Sequence, residues 1–250
     1  MSDYTSNAFL NGRVTIRQPI KGYRAGVDPV FLAASIPAKA GQTVLELGCG
    51  AGTAALCLGW RVKDLELYGV EVQPEYAQLA QGNAAVNEQM FEVHCADLAR
   101  LPADLKQNRY DHVIANPPYF DRDASTAAQD VGREAAMGQR TPLETWVDIA
   151  AKRLVSKGYA TFIHRAERLP DLLAAMNARL GSVEVLPLQP RLGRDANLVL
   201  VRARKNGRAA FRLHAPVLLH EGLRHEGDKE SYSPQIRAVL RDGAPLPFPA

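Results

Sequence analysis

Cysteine is scarce. The 250-residue chain has three, Cys49, Cys57 and Cys95. The number is odd and the spacing is not that of a metal site. That excludes a disulfide framework and reads as reduced thiols in a cytoplasmic protein. No apolar run is long enough to span a bilayer, and Met1 to Asn11 lacks the charged-then-apolar pattern of an export signal. Charge of one sign is not in excess: 30 Lys and Arg against 27 Asp and Glu leave +3. Any nucleic-acid site must then be a local patch rather than a field over the whole molecule. There is no internal repeat. The six histidines are scattered; His220 and His225 stand five apart, but no cysteine or acid completes a metal set, and no metal is expected. What is left is an ordinary globular composition, 46% apolar and 23% charged, which rules out wholesale disorder.

Short apolar runs alternate with helical patterns. TVLELG (43–48), LELYGVEV (65–72), MFEVHCAD (90–97), YDHVIANPPY (110–119) and GYATFIHR (158–165) read as strands. Helices are expected over 53–62, from Pro74 onward, over 142–155 and over 166–180. VEVLPLQ (183–189) and NLVLVRAR (197–204) look like a closing pair of strands. Strands alternating with helices imply an α/β fold, a doubly wound, mostly parallel sheet covered on both faces. Ligands of such sheets sit at the carboxyl ends of the strands, where strand order reverses. Residues 1–40 are expected to pack on a core domain of residues 41–205, with 206–250 as a C-terminal extension. The polar stretch 120–141 is a long excursion after a strand, of the kind that is functional or disordered.

The residues with chemistry lie at strand ends. The first strand closes in Glu46-Leu47-Gly48-Cys49-Gly50-Ala51-Gly52. Alternate glycines allow positive φ and close approach of a ligand to the backbone. A plain tight turn would look similar. A dinucleotide loop would place its third glycine at position 53, which is Thr53. Glu46 would also repel a pyrophosphate but attract a ligand carrying an ammonium and a sulfonium, as S-adenosylmethionine does. The second strand ends in Glu71, placed to accept ribose hydroxyls. The third ends in Ala96-Asp97, where Asp97 either accepts an adenine amino group or caps the turn that follows. Cys49 reads as a small packing residue within the loop.

The fourth strand ends in Asn116-Pro117-Pro118-Tyr119. This tetrapeptide, with the acid-plus-glycine loop before it, resembles the amino-directed class I methyltransferases. An amino nitrogen on an aromatic ring or amide is a poor nucleophile because its lone pair is delocalised. The Asn116 side-chain carbonyl and the Pro117 backbone carbonyl can each accept one of its N–H groups, more strongly as positive charge grows there. Pro117 and Pro118 restrict the backbone, and Tyr119 offers a flat face for stacking. A double-proline turn that merely ends a strand is the alternative.

Over roughly residues 10–220 the chain is similar to the tRNA adenine N6-methyltransferases that modify the adenine next to the anticodon of a valine tRNA. The resemblance is carried by Gly22 to Leu32 and the motifs above, with Ser231-Tyr232-Ser233 matching a short C-terminal segment. It implies a Rossmann-like sheet of seven strands with the last antiparallel, S-adenosylmethionine as cofactor and tRNA as partner. It places Asp28 near the methionine part of the cofactor; Asp28 could also cap a helix over 29–36. Residues 189–212 hold seven basic side chains against Asp195, and Arg191, Arg194 and Arg208 are candidate phosphate contacts, or else a solvated turn. Two rivals use the same core: a protein-glutamine methyltransferase, disfavoured because only about 40 residues precede the first strand, and an RNA-binding module without catalysis.

Overall fold

The computed structural model describes residues 4–119, 141–222 and 231–249. Residues 120–140 of the polar excursion, with Phe120, and also His225, lie outside that set. The chain begins with an antiparallel hairpin, β1 (Tyr4–Phe9) and β2 (Val14–Pro19). The hairpin is not among the expected elements. Its turn carries Asn11 and Gly12 at φ 57° and 86°, the Asn-Gly pair that suits tight hairpins. Every second residue of β2, Val14, Ile16 and Gln18, is buried.

Then follow α1 (Asp28–Ser35), β3 (Thr43–Leu47), α2 (Thr53–Arg61), β4 (Glu66–Glu71), α3 (Pro74–Val86), β5 (Phe91–Cys95), α4 (Ala103–Gln107) and β6 (Tyr110–Ala115). Beyond the excursion come α5 (Leu143–Arg153), β7 (Leu154–Arg165), α6 (Leu169–Asn177), β8 (Gly181–Gln189), β9 (Leu198–Arg204), β10 (Arg212–Leu213), β11 (Val217–Leu218) and α7 (Pro234–Asp242). β7 starts four residues before the expected Gly158. Its register against β6 shifts between Tyr110 and His112, and Lys157 sits at φ 68° in the irregular stretch.

One sheet runs in the order β10–β8–β9–β7–β6–β3–β4–β5, with β11 also on β8. The seven long strands of the expected sheet are present. β9 is antiparallel to both its neighbours and lies between β7 and β8, inside the sheet. The sheet has nine strands rather than seven because β10 and β11 pair with successive stretches of β8. They are two residues each. Pro216 stands between them and has no N–H to continue a ladder.

Strand order reverses between β3 and β6, which lie side by side although β4 and β5 intervene in the chain. One face of the sheet packs α1, α2, α3 and α7 around Phe31, Leu32, Leu56, Leu58 and Ile236. The other packs α5 and α6 around Trp146, Val147, Leu172 and Met176. Side chains of a strand alternate between faces. Val44, Leu67 and Ile114 point to the first face, and Leu45, Val113 and Ala115 to the second. Counting on by twos, Glu46, Glu71 and Asn116 all fall on the first face, at the ends of three neighbouring strands.

Candidate active site

Two of those ends, Glu46 and Asn116, line a cleft together with Tyr23, Gly48 to Ala51 and Tyr76, with about 360 Å³ of space opening to solvent; Glu71 stands behind the glycine loop. The glycine loop turns over the end of β4: the Cys49 N–H donates to the Val70 carbonyl at 3.0 Å. Gly50 (φ 53°) donates its N–H to Glu71 Oε2 at 2.9 Å, and the Gln73 N–H donates to Oε1 at 2.9 Å. Gly48 is at φ 61°, and a Cβ there would lie 2.5 Å from the Trp146 ring, so no larger residue fits. Gly52 (φ 83°) opens α2. Cys49 and Cys57 are buried, and burial pushes both thiols up, which keeps them protonated and inert.

Glu46 is buried, with 3% of its surface exposed, and accepts the Ala55 N–H at 2.9 Å. Burial, with Glu71 adding like charge, pushes its carboxyl up to about 8; the Ala55 N–H opposes this only in part. A buried acid beside a second acid is the acceptor set a cationic ligand requires. The glycine backbone leaves room for close contact, so these residues fit S-adenosylmethionine. Glu46 and the loop would meet its charged amino-acid part, and Glu71 its ribose.

Asp97 caps the turn after β5, its Oδ1 accepting the Ala99 N–H at 2.9 Å. That is one of its two expected roles; the second oxygen is not used by the cap. Asp28 does not cap α1. Val27 holds that position without a side-chain bond. Asp28 lies inside the first turn, and its carboxylate instead accepts the Tyr119 hydroxyl at 2.8 Å. The Tyr119 ring lies 5.2 Å from that of buried His164, and the exposed Arg165 guanidinium sits 5.7 Å over it.

Asn116 Nδ2 donates to the Tyr23 hydroxyl at 3.3 Å, and its Oδ1 is buried with no partner among the described residues. Tyr23 shows half its surface to solvent, yet the hydroxyl end is turned inward. Burial and the nearby Asp28 and Glu46 push the phenol well above its usual range. No motif spacing marks Tyr23 or Arg165. Arg165 could have been found as the last residue of the fifth strand.

The basic stretch does not form one surface. Arg191 is buried and donates to the carbonyls of Glu221 and Gly222 and to Ser231 Oγ, fastening the C-terminal segment. It is therefore not a phosphate contact: its donors are spent inside the protein. Arg194 lies exposed in the loop before β9, at the cleft end of the sheet. β9 then runs to the opposite end, about 20 Å away at ~3.3 Å per residue, and Arg208 follows it there beside the start of β8. Arg208 thus cannot share a site with Arg194 next to the cleft. Arg202 pairs with Glu184 at 2.7 Å, and Lys205 donates to the Ala151 carbonyl.

Among the described residues no helix is long and apolar enough to cross a membrane. A family model described as methyltransferase small domain matches residues 26–187, more than half of the chain. A tRNA1(Val) (adenine(37)-N6)-methyltransferase of Actinobacillus succinogenes is 30% identical over 167 residues, covering 65% of this chain and 69% of that protein. One of the same name from Yersinia pseudotuberculosis is 26% identical over 231 residues, covering 88% and 84%. A solved structure from Agrobacterium tumefaciens, described as a predicted O-methyltransferase, superposes with a TM-score of 0.70 at 25% identity, covering 89% of this chain and 100% of that one.

Glu46 generates a pH prediction. Unfolded, it ionises near 4.5; folded, it keeps its proton to about 8. The folded state binds that proton more tightly, so this group's contribution to stability falls as pH rises from about 4.5 to 8 and is level above. Glu46→Gln has no proton to lose and keeps an acceptor for Ala55. In thermal melts of the ligand-free protein, the melting temperature of Glu46→Gln relative to the parent should climb steadily from pH 5 to pH 8. A difference independent of pH would contradict the burial assigned to this carboxyl.

Proposed function

The chain belongs to the methyltransferase small domain family, and we propose that it methylates the exocyclic N6 amino group of an adenine in tRNA, in the cytoplasm. The names of its relatives make adenine 37 of a valine tRNA the first substrate to test. The observation that carries this reading is the buried Asn116 carbonyl oxygen, which has no partner among the described residues. A buried acceptor left unsatisfied costs roughly 1–3 kcal/mol, and an N–H donor from a substrate amino group would recover it.

S-adenosylmethionine, held by Glu46, the Gly48–Gly52 loop and Glu71, supplies an electrophilic methyl group. The protein's own part is orientation and electrostatics. Asn116 Oδ1 and the Pro117 carbonyl each accept one N–H of the adenine amino group. That draws the lone pair out of conjugation and directs it into the cleft. As the nitrogen gains positive charge both hydrogen bonds strengthen, so they lower the barrier more than they tighten binding. Tyr119 stacks on the base, a contact worth ~1–3 kcal/mol, and its ring is held from three sides by Asp28, His164 and Arg165. A hydroxyl acceptor would use only one of the two carbonyls. The tetrapeptide therefore favours an amino acceptor over the oxygen for which the Agrobacterium protein is named. Asp97 remains the candidate for the adenine ring of the cofactor through the oxygen its cap leaves over.

Asn116→Ala should lower kcat by about 10²–10³, with a much smaller change in KM, as expected for a contact made in the transition state. Tyr119→Phe keeps the stacking face but loses the bond to Asp28, so it should raise KM for tRNA several-fold; Tyr119→Ala should damage both constants. Steady-state kinetics with transcribed tRNA decides the matter, and an Asn116→Ala enzyme as active as the parent would end this assignment. Among the arginines, Arg194→Ala should weaken tRNA binding and reduce the slope of log K against log salt by ~0.7–0.9, with the melting temperature unchanged. Arg191→Ala should do the reverse, lowering the melting temperature because buried carbonyls of the C-terminal segment lose their donor. Filter binding over a salt series, paired with thermal melts, separates the two.

A further inference from the structure

The segment between β2 and α1 is held in place. The Tyr76 hydroxyl donates to the Tyr23 carbonyl at 2.9 Å. The Arg24 guanidinium reaches the Pro19 carbonyl at 2.6 Å, Asn7 Oδ1 at 2.9 Å and Thr5 Oγ1 at 2.9 Å, and the Ala25 N–H donates to Gln18 Oε1 at 2.6 Å. Tyr23 is thereby tied to α3 on one side and to the hairpin on the other. Its hydroxyl stands at the mouth of the cleft, against the Asn116 amide.

A side-chain amide has two orientations related by a half-turn, which exchange its oxygen and nitrogen. Only one leaves the oxygen free for an incoming N–H; the other would present an N–H₂ group, which repels a donor. Nothing within Asn116 itself prefers either. The choice must come from a neighbour, and among the described residues Tyr23 is the neighbour that bonds it. Asp28 lies close enough to Tyr23 to act on its hydroxyl, and its negative charge favours turning the phenolic proton toward it. The oxygen lone pairs are then left for Asn116 Nδ2.

We infer that Tyr23 is a positioning residue which, by accepting the Nδ2–H of Asn116, holds that amide with its carbonyl oxygen open to the substrate amino group. The inference rests on the reading of Asn116 as acceptor of the adenine N–H. Tyr23 need not touch the reacting nitrogen. Its hydroxyl decides which end of Asn116 the substrate meets, and its ring lines the cleft whether or not the hydroxyl is there.

Tyr23→Phe removes the hydroxyl and keeps the ring. It should slow single-turnover methylation of tRNA about 3- to 10-fold, the range one neutral hydrogen bond supplies. The Kd for S-adenosylmethionine, measured by calorimetry, and KM for tRNA should each stay within about twofold. The decisive comparison is a double-mutant cycle with Asn116→Ala. Without the amide there is nothing to orient, so Tyr23→Phe should cause no further loss in that background. If Asn116→Ala is slow and Tyr23→Phe slows it again by its full factor, Tyr23 acts elsewhere and the inference fails while the role of Asn116 stands. A Tyr23→Phe enzyme as fast as the parent, or one whose loss lies wholly in cofactor affinity, overturns it too. If Asn116→Ala itself keeps full activity, the failure lies with the acceptor assignment on which the inference rests.

Discussion

Two carboxylates at the ends of adjoining parallel strands are held to backbone N–H groups, and the cleft is built around them. Glu71 receives Gly50 and Gln73, and so fixes the glycine loop of one strand to the end of the next. Glu46 receives Ala55 from the first turn of α2. Burial out of water, with the charge of Glu71 adding to it, keeps a proton on Glu46 to about pH 8. A cationic ligand removes the need for that proton. The same pair disfavours the pyrophosphate of a dinucleotide, although the loop is glycine-rich enough to suggest one.

Parity along the strands puts chemistry on one side. Val44, Leu67 and Ile114 fix the first face as the one toward α1, α2 and α3, and Glu46, Glu71 and Asn116 follow at even spacing. The reversal of strand order between β3 and β6 then brings the glycine loop beside the Asn-Pro-Pro-Tyr turn. A slip of one residue in either strand would send its polar end into the opposite core. The N-terminal segment closes the arrangement from outside the sheet, through Tyr23 to Asn116 and Asp28 to Tyr119.

Much of this was legible in the chain itself. Short apolar runs ending in Gly, Glu or Pro mark the strands and their carboxyl ends, because a strand that stops in such residues leaves them at the edge of the sheet. What failed to show had other causes. The hairpin of residues 4–19 is signalled only by Asn11-Gly12 and by Val14 and Ile16 alternating with polar residues, and the third inward position, Gln18, is itself polar, so the segment lacks the apolar run that marks the central strands. Arg191 carries the same charge as Arg194, and only the fold reveals that its partners are carbonyls of Glu221 and Gly222, far along the chain. Arg208 joined the patch by proximity in sequence, and β9 carries it to the other end of the sheet. Asp28 and Tyr119 are 91 residues apart, and no local pattern announces such a bond.

The central claim is chemical: an amino nitrogen of adenine receives the methyl group. The direct measurement is mass spectrometry of nucleosides from transcribed valine tRNA after incubation with the enzyme and S-adenosylmethionine. The expected product is N6-methyladenosine, formed about 10²–10³ times more slowly when Asn116 is replaced by Ala. Methyl groups on a ribose hydroxyl, or unmodified tRNA alongside methylated glutamine in a protein substrate, would contradict it.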